Sequence, residues 1–430
     1  MKLTNIATVR KSLKRLPTFK NTETHGITLP SSKSLSNRLL IVRGLSGIPV
    51  RIENLSDCDD TRRLQQALAT PDGTRFDLGD AGTAMRFLTA FFACRPGIRE
   101  LYGSPRMHER PIRILVDALR SLGARIEYLG TPGCPPLRIY GTQLTGGEIT
   151  VSASVSSQYV SALMMIAPTL SQGLAIHLEG AVVSRSYIDM TATLMRDFGG
   201  VSVEQEGNTI RIPATPYAVS AAYPVEADWS AASYFFELLA IAPEGNFELT
   251  GLSRSSTQGD SRQVKLWKHI GISSEYLPHP ERISLSKCHL YKRKKYKEAD
   301  FTDMPDLIPA FVVACCLTDT HFLFTGLQTL IIKECDRIEA LITESARLGY
   351  VLTTDESHST LAWDGTRCPE SEHRIRTYND HRMAMAFAPA ILRYPDLVIE
   401  NPSVVTKSFP RFWEEFDHAV TYLASSQKNP

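Results

Sequence analysis

One pattern restricts the fold of this chain more than any other: a short polar head running straight into a helix-length segment that is apolar on almost every face. It occurs in "GDAGTAMRFLTAFFA" (79–93), "SSQYVSALMMIAPTL" (156–170), "DWSAASYFFELLAIAP" (228–243), "MPDLIPAFVVACCL" (304–317) and "TYNDHRMAMAFAPAIL" (377–392). The markers Gly82, Ser157, Ser230, Asp306 and Asp380 stand 75, 73, 76 and 74 residues apart, which is the regularity of a repeated supersecondary unit. A sixth relative, "SSKSLSNRLLIVRGL" (31–45), precedes the first marker at a shorter distance.

A second series runs in step with the first. "LRSLGARIEY", "MRDFGGVSVE", "LWKHIGISSEY" and "SARLGYVLTT" each read as the end of an amphipathic helix, a capping glycine and an alternating strand. Their glycines, at 123, 199, 271 and 349, are 76, 72 and 78 residues apart. Each module therefore holds one all-apolar helix, one amphipathic helix and strands between them, which is an α/β chain. A helix apolar all round must be enclosed by other elements, and six such helices divide into two groups of three. Serine and aspartate caps explain any single head. Six polar, often basic heads on buried bodies ask for more, and converging helix N-termini supply it as an anion-binding surface.

Composition removes competing classes. The 430 residues are 43% hydrophobic and 22% charged, enough to build two or more cored domains. Lys and Arg (47) balance Asp and Glu (46), so a net charge of +1 gives no general attraction to nucleic acid or membrane. The basic run "YKRKKYK" (291–297) interleaves aromatic residues with cations as nucleic-acid grips do, but it is short and isolated and reads better as a lysine-protected strand edge. No apolar run approaches bilayer length, and the basic N-terminus lacks a signal-peptide core, so the expectation is a cytoplasmic protein. The eight cysteines show no C-x-x-C pair and the eleven histidines no H-E-x-x-H spacing. Buried thiols, no metal and no cofactor are expected.

The heads carry specific chemistry. In "SSKSLSNR", Lys33 and Ser34 open a helix and Arg38 lies one turn beyond Ser34 on the same face. "DAGTAMR" puts Gly82 where backbone approaches closely, with Arg86 one turn on. "SPRMHERP" offers Arg106 and Arg110 around His108. Ser156, Ser157 and Gln158, and Ser184 with Tyr187, are hydroxyl and amide clusters suited to phosphate and sugar-like hydroxyls. "IIKECDRIEAL" places Lys333, Glu334 and Arg337 within one turn, "DMPD" carries Asp306 at a helix entrance, and "VTKSFPRFW" sets Lys407 among apolar anchors.

Taken in order, "SSKSLSNR", "DAGTAMRFLTA", "PRMHERP", "SSQYVSALMM", "DWSAASYF", "KECDR", "TYNDHRMAMAF" and "TKSFP" resemble the 5-enolpyruvylshikimate-3-phosphate synthase family of enolpyruvyl transferases, from about residue 29 to residue 413. The resemblance implies a two-domain inside-out α/β barrel of six βαβαββ modules, three per domain, with buried helices pointing at an interdomain cleft. It implies one domain at 29–226, binding shikimate 3-phosphate, and a second made of 1–28 and 227–430. The implied reaction moves the enolpyruvyl group of phosphoenolpyruvate to the 5-hydroxyl of shikimate 3-phosphate and releases phosphate.

Residue by residue, the resemblance assigns shikimate 3-phosphate to Lys33, Ser34, Arg38, Ser156, Ser157, Gln158, Ser184, Tyr187, Asp306 and Lys333. Phosphoenolpyruvate falls to Lys33, Gly82, Arg86, Arg106, Gln158, Arg337, Arg382 and Lys407. Catalysis falls to Lys33 at the leaving phosphate, Asp306 as base and Glu334 as proton donor to C3. The implied partners are these two small molecules, with no nucleic acid and no membrane, acting on a monomer.

Three departures stand out. Asp80 replaces the usual Asn and is expected to turn away or meet a cation, Thr329 stands at a common Asn position, and the entry turn reads "LPSSKS". Gly82 leaves room beside the phosphoenolpyruvate phosphate, so sensitivity to glyphosate is expected. The rival within the same chemistry, a UDP-N-acetylglucosamine enolpyruvyl transferase, typically carries a loop cysteine near "SPRMHERP", where none stands. An inactive paralogue used as a binding module is disfavoured by the presence of Lys33, Asp306 and Glu334.

Overall fold

In the computed structural model, residues 24–219, 221–278, 281–288 and 296–426 are described. They divide into two compact units. One runs from Ser31 to Glu226 with Thr257–Gly259, and the other takes the described residues up to Pro30, Ala227–Ser256 and Asp260 onward. The N-terminal segment and all of "YKRKKYK" except its last two residues lie outside the described residues.

In the Ser31–Glu226 unit three helices are enclosed. Lys33–Ser46 buries the unbroken run Leu35–Val42, Gly82–Ala93 buries every residue but Thr83, and Ser157–Ile166 buries all but Gln158. Leu fills the first of these segments and Ala, Met, Leu and Phe much of the other two, so a large apolar surface is covered by side chains of which Ala, Leu and Met lose little rotamer freedom in a helix. Around them lie sheets with one face inward. Arg75–Asp77 pairs parallel with Gly97–Tyr102, which continues antiparallel to Leu137–Gly141 and then Arg125–Tyr128. The next module repeats this order with Gly147–Ser152, Leu174–Glu179, Thr209–Ile212 and Glu204–Glu206. Along these strands burial alternates, with Leu137 and Ile139 or Ile149 and Val151 turned to the core.

The other unit obeys the same rules. Trp229–Ile241, Ile308–Leu317 and His381–Phe387 are its enclosed helices, and stacked aromatics such as Trp267 and Phe311, 4.0 Å apart, fill the space around them. Strand His25–Thr28 pairs parallel with Asn246–Thr250, so the whole Ser31–Glu226 unit is spliced between two strands of one sheet. Arg282–Lys287 and Ile272–Leu277 complete that sheet, and Tyr296–Asp300, His321–Thr325 and Thr360–Trp363 form the next.

The modules are not equally complete. In each unit one is reduced to a single parallel pair, Ile52–Glu53 with Tyr223–Pro224 and Arg374–Ile375 with Val398–Ile399. Of the four spaced glycines, Gly123, Gly271 and Gly349 have the positive φ of a helix stop, but in "MRDFGGVSVE" that role falls to Gly200, with φ +67°. Gly199 is fixed by packing instead, because a Cβ there would stand 2.6 Å from both the Met195 carbonyl and the Tyr217 ring.

Candidate functional site

The residues singled out in the sequence gather at the helix heads, in one cluster per unit. In the Ser31–Glu226 unit, Ser32 caps the Lys33 helix by accepting from Leu35 N, and Lys33 Nζ meets Asp60 Oδ2 at 3.1 Å. Asp60, 27 residues away in sequence, carried no signal that would have paired it with Lys33. Arg38 is buried one turn below. Its Nε donates to Thr191 Oγ1 (2.7 Å), Nη1 to the Ser34 carbonyl (3.0 Å), and Nη2 to Ser161 Oγ (3.1 Å) and the Tyr187 carbonyl (3.4 Å). Of the five N–H donors of a guanidinium this leaves one for a ligand. Burial lowers the Arg38 pKa to about 10, which still keeps it charged at neutral pH.

Around Gly82, Arg86 Nη1 donates to the Gly82 carbonyl (3.1 Å) and Nη2 to the Pro111 carbonyl (3.0 Å), so the guanidinium is folded back against the helix start. Gln158, just inside the next helix, donates from Nε2 to Thr83 Oγ1 at 3.2 Å and so joins two heads. Ser156 caps that helix by accepting from Gln158 N, and Ser157 is buried beside it. Ser184 precedes the helix Arg185–Asp197 with φ +54°, a left-handed conformation uncommon for serine, and the Tyr187 ring lies under Arg38. Arg106 is more exposed and pairs with Glu109 at 2.9 Å. Asp80 accepts from the Ser104 hydroxyl.

The second cluster centres on Arg337, which is 1% exposed and ringed by carboxylates: Asp380 at 2.7 Å, Glu334 at 3.0 Å and Asp306 at 3.1 Å. Burial works against its charge, but Asp380, Glu334 and Asp306 outweigh burial and hold its pKa above that of a free guanidinium. Asp306 also takes Arg382 Nη2 at 2.8 Å, and Glu334 takes Lys407 Nζ at 2.9 Å. Five of the residues expected in the site, Asp306, Glu334, Arg337, Arg382 and Lys407, are thus one connected network. The Glu334–Arg337 pair forms although Glu334 precedes the helix, which starts at Arg337 behind its Asp336 cap. Lys333 is half-buried beside them, and Thr329 is buried at the start of the turn Leu330–Ile332.

The polar head "TYNDHR" is explained by this network. Asp380 caps its helix by accepting from Arg382 N at 2.9 Å while its other oxygen holds Arg337. Tyr378 and Asn379 both have positive φ, a strained entrance of the kind that accumulates at functional sites. Asn379 Oδ1 accepts from Asn401 Nδ2 (3.0 Å), and Tyr378 donates to Glu344 (2.6 Å).

Two members were missed in the sequence. Tyr234 lies 3.4 Å from Arg382, and burial raises its pKa to about 12 against the pull of Arg382. Asp260 accepts from Ser230 Oγ at 2.5 Å, and burial, reinforced by Asp306, raises its pKa to about 7. The Asp260 head sits in a short turn, Gly259–Arg262, without the long apolar body that betrayed the others. Among the described residues no group of His, Cys, Asp and Glu is arranged to hold a metal, and no helix is long and apolar enough to cross a membrane.

Comparison with known proteins bears on this arrangement directly. The family model described as EPSP synthase (3-phosphoshikimate 1-carboxyvinyltransferase) matches residues 63–416. A 3-phosphoshikimate 1-carboxyvinyltransferase of Bacteroides fragilis (strain YCH46) is 49% identical over 398 residues, covering 91% of this chain and 94% of its own. One from Haemophilus ducreyi is 34% identical over 421 residues, covering 91% and 94%. The solved EPSP synthase of Acinetobacter baumannii shares the fold with a TM-score of 0.70 at 21% identity, over 92% of this chain and 95% of that one.

Proposed function

The chain belongs to the EPSP synthase family, and on that premise we propose how its residues transfer the enolpyruvyl group of phosphoenolpyruvate to the 5-hydroxyl of shikimate 3-phosphate with release of phosphate. The observation that carries the reading is the Arg337 network. Two carboxylates able to exchange protons, Asp306 and Glu334, are each held by two cations that suit the carboxylate and phosphate of a small anionic substrate.

In this reading the 5-hydroxyl attacks C2 of phosphoenolpyruvate while Asp306 accepts the hydroxyl proton and Glu334 gives a proton to C3. The tetrahedral adduct then loses phosphate, which Lys33 faces, and a proton from the new methyl group, restoring the double bond on the product. Arg337, Arg382, Lys407, Gly82, Arg86, Arg106 and Gln158 bind phosphoenolpyruvate. Ser34, Arg38, Ser156, Ser157, Ser184, Tyr187 and Lys333 bind shikimate 3-phosphate, the Ser31–Glu226 unit supplying most of them. Arg38, with most of its donors already engaged, supports Ser34 and Tyr187 as much as it touches ligand. The cysteines of the chain are free thiols, in keeping with a reducing, cytoplasmic setting, and we take the working form to be a monomer.

Phosphate release from phosphoenolpyruvate, with shikimate 3-phosphate or UDP-N-acetylglucosamine as acceptor, tests the reading. Release with shikimate 3-phosphate alone is expected, and release with the sugar nucleotide alone would overturn the acceptor.

A further inference from the structure

The head "TYNDHR" is held from behind by an acid that the enolpyruvyl-transfer reading does not use. Glu344 lies in the helix Arg337–Arg347, two turns beyond Arg337, and its side chain is 0% exposed. Its two oxygens grip the chain just ahead of Asp380: Oε1 accepts from the Tyr378 hydroxyl at 2.6 Å, and Oε2 accepts from the Arg376 backbone N–H at 3.0 Å. Arg347 Nε stands 3.1 Å from Oε2 as a counter-charge, out of line for a hydrogen bond. Tyr378 as a whole is 37% exposed, so burial does little to fix it and the hydroxyl is its anchor. The Asp380 N–H donates to the Thr377 carbonyl at 2.7 Å and closes the turn.

Between these contacts and Asp380 the backbone passes through two consecutive left-handed residues, Tyr378 at φ +52° and Asn379 at φ +56°. Neither is glycine, and such conformations persist only where the surroundings over-determine them. Burying a carboxylate is a costly way to fix an exposed turn, and what the turn carries explains the cost. Asp380 holds Arg337 at 2.7 Å, and Arg382, two residues on, meets Asp306 at 2.8 Å. Arg337 and Glu344, two turns apart on one face of the same helix, therefore hold this segment at two points. Resting on the enolpyruvyl-transfer reading above, we propose that Glu344 is a positioning residue for that reaction: through Tyr378 and Arg376 it fixes the left-handed entrance that aims Arg382 at phosphoenolpyruvate. Without this hold the two left-handed residues relax and Arg382 loses its aim. Shikimate 3-phosphate, bound in that reading mainly by the Ser31–Glu226 unit, is left alone.

The test compares wild type, Tyr378→Phe, Glu344→Gln and the double variant by steady-state phosphate release and by amide hydrogen exchange over residues 376–382. Tyr378→Phe removes one hydroxyl from an exposed ring, so the fold survives it. It is expected to raise KM for phosphoenolpyruvate about 3- to 30-fold, a share of the roughly 10- to 100-fold that a hydrogen bond to a charged group is worth. It should leave kcat within about threefold and KM for shikimate 3-phosphate within about twofold, and speed exchange of the segment about 10-fold or more. Added to Glu344→Gln it should do less than it does alone, because both changes act on one contact. A phosphoenolpyruvate KM within about twofold of wild type, equal rises in both KM values, or a fall in kcat alone would each overturn the proposal, the last two leaving Glu344 a purely structural residue. A wild type inactive with shikimate 3-phosphate would refute the reaction assignment instead. The exchange arm would then still decide whether Glu344 fixes the entrance, faster exchange in the variants retaining that role and unchanged exchange ruling it out.

Discussion

Glu237 offers a test of the fold's energetics that does not depend on function. It sits inside the enclosed helix Trp229–Ile241 with 0% exposure, and neither carboxyl oxygen has a hydrogen-bond partner among the described residues. Burial alone pushes its pKa well above the ordinary 4.5, and its neighbour in the facing helix, Cys315, is likewise raised by burial. Glu237 therefore enters the fold as the neutral acid. Unfolded, it is ionised at pH 7, so folding must take up a proton, at a cost that grows by about 1.4 kcal/mol per pH unit above 4.5 until the raised folded value is reached. Leaving the acid without hydrogen bonds adds roughly 1–3 kcal/mol, and imperfect packing of a replacement side chain returns up to about 1.5 kcal/mol.

Glu237→Met should therefore stabilise this unit by about 3 kcal/mol at pH 7, and Glu237→Gln by less, because the amide keeps the unpaired polar atoms. The sign with pH follows from a folded pKa raised above the unfolded one. The contribution of Glu237 is most favourable below 4.5 and is lost as pH rises, so wild type should weaken relative to either variant from pH 5 to pH 7. Urea unfolding followed by circular dichroism at pH 5, 6 and 7 measures this. A Met variant less stable than wild type at pH 7, or a wild type with the same pH slope as both variants, would refute the reasoning.

Asp306→Asn and Glu334→Gln should each lower kcat by about 10²–10⁴, since the proton function is removed, and should also lower the melting temperature by several degrees, because both carboxylate oxygens accept from cations and the amide can replace only one of them. Stopped-time phosphate release checks this, and a kcat within threefold of wild type would remove that residue from the chemistry. Asp260→Asn should flatten stability against pH between about 4 and 7, the window between its unfolded value of 3.8 and its folded value of about 7, by roughly 4 kcal/mol at most. Matching slopes in denaturant titrations would rule that out. Glyphosate should inhibit competitively with phosphoenolpyruvate, and full turnover at millimolar glyphosate, above ordinary substrate affinities of about 1 μM–1 mM, would contradict it.

Much of this was legible in the sequence because it is periodic. The repeat located all six enclosed helices, two of whose heads carry Asp306 and Arg382, while the family resemblance picked out Arg337 and Lys407 in segments between them. What the sequence did not reveal are side-chain pairings across large separations. Arg38 finds Ser161 and Thr191 at 123 and 153 residues' distance, and Asp380, which looks like an ordinary helix cap, turns out to hold Arg337 43 residues away. Spacing within one helix predicts neighbours on that helix, whereas these contacts depend on how separate helices are packed. The same limit hid Asp260 and Arg110, whose buried Nε has no hydrogen-bond partner among the described residues.

The two clusters differ in how their charge is answered, and the difference bears on how the reaction starts. Around Arg337 three cations, Arg337, Arg382 and Lys407, face three carboxylates, Asp306, Glu334 and Asp380, in contacts of 2.7–3.1 Å. An incoming anion must compete there with the protein's own acids. Asp380 is the hardest to displace, being fully buried and tied to the helix cap, whereas Asp306 and Glu334 retain some exposure and lie at the edge of the network. A substrate carboxylate or phosphate that takes over Arg382 and Lys407 therefore loosens the two acids proposed to move protons and leaves Asp380 as the fixed counter-charge of Arg337. Binding and the release of the acid and base become one event. At the Gly82 head Arg86 donates to two backbone carbonyls and meets Met107 Sδ, and Arg110 makes no ion pair among the described residues, so an anion there adds contacts without breaking an ion pair of Arg110. Affinity is then expected to come mainly from the Gly82 head, and control of the proton transfers from the Arg337 network.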